Sequence, residues 1–79
     1  MKEFWVVYDY GMGGAWGIAL APSETEVTRA FPELQVIHER PEWLTDETEK
    51  ELRSNSRFIV SDPSSYPKWV QTLILERQQ

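Results

Sequence analysis

The stretch from Phe4 to Ala21, FWVVYDYGMGGAWGIALA, limits what this chain can fold into more than any other part of it. Phe4 to Tyr10 is rich in aromatic and β-branched residues, which fit a pleated, half-buried strand. Gly11, Met12, Gly13 and Gly14 follow, and glycine supplies the positive φ angles that a tight reversal needs. Ala15 to Ala21 then alternates the large Trp16, Ile18 and Leu20 with the small Gly17, Ala19 and Ala21. Period-two alternation marks a second strand, with one bulky face and one face open to close approach. Strand, glycine turn, strand predicts an N-terminal β-hairpin.

Two hairpin registers suit this pattern. With Met12 and Gly13 at the turn centre, Trp16 faces Asp9 and Ile18 faces Val7. With a loop from Met12 to Gly14, Tyr10 faces Trp16, Tyr8 faces Ile18 and Val6 faces Leu20. Cross-strand aromatic and β-branched pairs favour the second. A slip of one residue changes every neighbour, so the register decides where Asp9 points.

The remainder reads as alternating helices and strands. Ser23-Glu24-Thr25-Glu26 matches a capping box, opening a helix with Val27, Ala30 and Phe31 on one face and a stop at Pro32. Leu34 to Glu39 is a short strand. Thr45 caps a second helix whose Asp46 and Glu47 suit its N-terminal dipole, and whose only large apolar residue is Leu52. Arg57 to Ser61 is the fourth strand. Ser64 or Ser65 caps a last helix with Pro67 in its first turn, and Tyr66, Trp69, Val70, Leu73 and Ile74 form its apolar stripe. The order ββαβαβα predicts a small α+β domain. Its four-stranded mixed sheet opens with the hairpin, and its helices, the first and third above all, pack mainly on one face. No repeat or linker divides residues 1–79, so one compact domain is expected. With ten aromatic residues in 79, the core can offset the ordering entropy of so short a chain.

Composition narrows the chemistry. There is no cysteine, which removes disulfides, zinc–thiolate sites and a cysteine nucleophile. Thirteen acids against eight bases, with Arg29, Arg40, Arg53, Arg57 and Lys68 scattered, argue against nucleic acid as a partner. No run approaches the ~20 apolar residues of a membrane helix, and Asp9 interrupts any leader-like stretch. A cytoplasmic protein that does not engage membranes is expected.

Few residues combine into a site. Gly11 and Gly13 start a dinucleotide-like pattern, but Trp16 holds its sixth position and a strand follows. Asp9 is unusual in a strand: it either accepts amides of the glycine turn or joins Tyr8 and Tyr10 in a polar cluster. His38 is the only histidine, so neither a metal site nor a serine triad is expected, and an ordinary hydrogen bond is. The acids Asp46, Glu47, Glu49 and Glu51 read as a solvated helix face interrupted by Lys50 and Arg53. Trp43, in the loop-like ERPEWL, is a candidate for partner contact.

These readings converge on a non-enzymatic interaction module without a cofactor, which dimerises or binds another protein. Its candidate residues are Trp5, Tyr8, Asp9, Tyr10, Gly11, Met12, Gly13, Gly14, Trp16 and Trp43. Two alternatives stay open: a small-molecule pocket at the YDYGMGG hairpin, and an inhibitor or immunity-type protein that meets a basic target.

Overall fold

A computed structural model describes residues 1–9 and 14–77. Strand β1 covers Lys2–Asp9 and β2 Gly14–Ala21; helix α1 covers Glu24–Ala30 and strand β3 Gln35–Ile37. Helix α2 then runs over Asp46–Asn55, strand β4 over Arg57–Ile59 and helix α3 over Lys68–Glu76, with a short 3₁₀ turn at Pro63–Ser65. The sheet order is β3-β1-β2-β4, with β1 antiparallel to β2 and β3, and β2 parallel to β4. The expected mixed four-stranded sheet with its opening hairpin is therefore present.

Two of the three sequence-predicted caps form. The Ser23 hydroxyl accepts from the Glu26 amide at 3.4 Å, and Thr45 Oγ1 from the Thr48 amide at 3.2 Å. The predicted cap of α3 does not. Pro67 occupies that position without a side-chain bond, and Ser65 braces β4 instead, accepting from the Ile59 amide at 2.8 Å and donating to the Asp62 carbonyl at 2.6 Å.

The hairpin takes neither expected register. Trp5 faces Ile18, Val6 faces Gly17, Val7 faces Trp16 and Tyr8 faces Ala15. This pairing puts Val6 and Tyr8 on the face of the small residues Gly17, Ala19 and Ala21. Trp16, Ile18 and Leu20 share the other face with Trp5 and Val7. Helix packing outweighs cross-strand aromatic pairing: α1 and α3 need close approach, and the small face of β2 provides it. Gly17 shows how close. A Cβ there would lie 2.8 Å from the Ser56 carbonyl and 2.9 Å from Trp69 Cζ2.

The main core lies between that face and helices α1 and α3. It holds Val6, Ala19, Ala21, Val27, Phe31, Leu34, Phe58, Val70 and Leu73. Phe58 meets Phe31, Tyr66 and Trp69 edge-on, with centroids 5.7, 5.6 and 6.1 Å apart. Edge-to-face pairs add to the burial of their rings. Helix α2 takes the opposite face, against β2 and β4. The two crossovers explain this. β2 to β3 steps toward one sheet edge and β3 to β4 steps back to the other. Connections of one right-handed sense that step in opposite directions carry their helices over opposite faces. The second face is better covered than α2's polarity predicts, because Leu44, just before the helix, is only 2% exposed.

Arginines tie the ends together. Arg77 donates to both Glu33 carboxylate oxygens and to the Ala30 carbonyl, and its guanidinium stands 5.3 Å from the Phe31 ring centre. On the other face Glu3 accepts from Arg53 at 2.8 Å and forms an ion pair with Arg57 at 3.2 Å. The hydrogen bond from Arg77 holds the Glu33 carboxyl below its ordinary range, and that from Arg53 does the same for Glu3, each against an opposing effect of burial. A carboxylate with a depressed folded-state pKa stabilises above its unfolded value, about 4.3, and that contribution is lost as pH falls through the folded value. The melting temperature is therefore expected to fall below about pH 4. Arg77→Met should flatten that acid limb while costing about 1 kcal/mol or less at neutral pH, since the pair is partly solvated. An acid limb identical in wild type and variant would remove Glu33 from this account.

Candidate functional site

The structure divides the sequence-predicted site residues between two surfaces. Tyr8 lies on the face that carries α1 and α3, while Trp5, Asp9, Gly14 and Trp16 lie on or toward the other, as strand alternation in the observed register requires. Asp9 is exposed at the end of β1 opposite Gly14. Tyr10, Gly11, Met12 and Gly13 lie outside the described residues, so the proposed Asp9–tyrosine cluster rests on them only as an expectation.

The first surface is an open groove of about 690 Å³ between the hairpin and α3. Tyr8, Ala15, Trp69 and Leu73 form its apolar wall, and Lys68, Thr72 and Glu76 line it at i, i+4, i+8 spacing along α3. Of these seven only Tyr8 is a sequence candidate; the other six escape sequence reasoning because none is unusual alone, and the helical spacing of Lys68, Thr72 and Glu76 is the one signal that could mark a shared face. Thr72 Oγ1 already donates to the Lys68 carbonyl at 3.0 Å. The Trp69 indole N–H is buried with no hydrogen-bond partner among the described residues. The ring itself packs closely over Gly17, where a Cβ would lie 2.9 Å from Trp69 Cζ2.

The second surface is built around Trp43. Pro41 to Leu44 form a turn closed by the Leu44 amide donating to the Pro41 carbonyl at 3.1 Å, with Glu42 and Trp43 at its tip. Arg40 holds the turn against α2: its Nε donates to the Leu44 carbonyl at 2.9 Å, and its guanidinium pairs with Asp46 and Glu49. Trp43 stands edge-on to Trp16, centroids 4.9 Å apart, yet is 56% exposed. Two residues singled out separately in the sequence are thus brought together, 27 positions apart, by the path from β3 into α2. Trp5 is half-buried on the same sheet face, beside Ile18 and Arg53.

His38 makes the ordinary contact expected of it, Nε2 to the Glu24 carboxylate at 2.6 Å. Among the described residues no three His, Cys, Asp or Glu side chains gather as a metal site, and no helix is long and apolar enough to cross a membrane. No family model matches this chain. No curated protein and no solved structure is significantly similar to it either.

Proposed function

We propose that this chain is a non-enzymatic interaction module of the cytoplasm that presents the Trp16–Trp43 pair to a protein partner, either a different protein or a second copy of itself. What supports the reading is Trp43: a large indole, mostly solvated, on a closed turn and braced by a second indole. Tryptophan is enriched among the residues that dominate binding energy, and a braced ring loses little entropy on docking. The absence of cysteine suits a reducing compartment.

Native mass spectrometry of the protein purified gently from its host cells tests this. The wild type should carry an added protein mass or a second copy. Trp43→Ser should lose it while changing stability by no more than about 1 kcal/mol. A Trp43→Ser protein that keeps the added mass, or a wild type recovered as a bare monomer, would overturn the proposal.

A second reading, a small-molecule site, is supported by the groove on the opposite face. Its volume falls within the range of about 300–1,000 Å³ typical of ligand sites, and two aromatic rings line it. Ala15→Trp should fill its mouth and abolish binding of an anilinonaphthalene sulfonate probe to the native protein. Unchanged probe fluorescence in that variant would dismiss the groove as a site.

A further inference from the structure

The charges around Trp43 bear on what covers it. Between residues 39 and 57 the chain carries six carboxylates and four bases. The bases are not evenly available. Arg40 is held by Asp46 and Glu49, Arg53 by Glu3 and Glu49, and Arg57 by Glu3. Glu39, Glu42, Glu47 and Glu51 have no ion-pair partner among the described residues, and Lys50 is the one base of this stretch left unpaired there. All four of these glutamates are exposed. Internal pairing therefore neutralises three of the four cations of this segment and leaves four unpaired carboxylates against one unpaired base, a negative outward balance. The exposed indole adds to the same preference, because the face of a tryptophan ring attracts a cation, guanidinium above all.

We infer that the Trp43 turn docks a basic protein surface, one that places an arginine or lysine over the indole and further cations against Glu42 and Glu47. This rests on the interaction reading above and narrows it. A second copy of this chain, itself at −5, would bring the same unpaired acids into contact and meet repulsion.

Two peptides of equal length serve as probes, one of glycine, leucine and arginine, the other with glutamate in place of arginine. The readout is the set of indole N–H signals in a proton–nitrogen correlation spectrum of the full chain. The arginine peptide should shift the Trp43 and Trp16 signals and leave Trp69 in place, while the glutamate peptide should shift none. Affinity should drop at least about tenfold between about 20 and 300 mM salt, as screening shortens the reach of exposed charges. The double variant Glu42→Gln, Glu47→Gln should bind at least about threefold more weakly without a change in melting temperature. Equal shifts from both peptides, abolished by Trp43→Ala, would overturn the basic partner and leave the interaction surface standing. No shift from either, with a sedimenting dimer that Trp43→Ala dissolves, would assign the surface to a second copy instead. No shift from either and a monomer at every concentration would overturn both.

Discussion

Phe58→Ala is expected to lower the stability of the domain by about 3–5 kcal/mol, the usual cost of emptying an aromatic core position. Phe58 is 1% exposed and contacts three other rings, Phe31 on the α1 side and Tyr66 and Trp69 on the α3 side. It sits on β4, a three-residue edge strand, opposite Ala19, and removing its ring would open a cavity among the three rings it touches. A domain of this size holds only about 4–12 kcal/mol in total. The loss should therefore appear as a fall of at least about 12 °C in the midpoint of thermal unfolding. Phe58→Leu, which keeps most of the volume, should cost clearly less. An alanine variant that unfolds within a few degrees of wild type would mean that the four rings do not form one cooperative core.

Gly17→Val should come second in effect. The first added carbon already meets the Ser56 carbonyl and the Trp69 ring, and one of these is backbone that bonds β4 to β2 through Ile18 N–H at 2.9 Å. Overpacking of this kind costs about 1–3 kcal/mol and sometimes more. The variant also tests how the groove is built, since Trp69 is one of its walls. Urea denaturation should show a reduced midpoint, and the Trp69 indole signal should move while that of Trp43 stays. Pairing Gly17→Val with Trp69→Leu should recover part of the loss, because the smaller side chain frees the space the valine needs. A double variant no more stable than Gly17→Val alone would assign the strain to the Ser56 carbonyl.

The legible features were local ones. Ser23 and Thr45 were readable as caps because a cap is settled within three or four residues of itself. The cap expected of Ser64 or Ser65 does not form, because the Ser65 hydroxyl serves β4, six residues back, and the Ser64 hydroxyl donates to Asp62; nothing in the neighbourhood of Pro67 signals that. Trp43 stood out as an aromatic in a charged loop, and the structure leaves it exposed; its companion Trp16 could not be matched to it, since their contact depends on how β3, the Pro41 turn and α2 are threaded. The groove was less legible still. Of its lining residues only Tyr8 is a sequence candidate, and Trp69 belongs by its spacing to the apolar stripe of α3.

The hairpin separates the two kinds of information. Its existence, and the small face of β2 that lets helices approach closely, follow from the residues in order, because alternation and glycine act over one or two positions. Its register does not. Cross-strand aromatic pairing, judged alone, favours setting Tyr8 against Ile18. The folded protein sets Tyr8 against Ala15, because burying Val6, Val27, Phe58 and Val70 around Gly17 and Ala19 requires the small face to receive α1 and α3. The same long-range condition carries α2 to the opposite face and brings Trp43 to Trp16. Element type and the Ser23 and Thr45 caps were settled by the sequence within a few residues. Register, facing and the composition of both surfaces were settled only by tertiary packing, where volume and chain direction act on residues far apart along the chain.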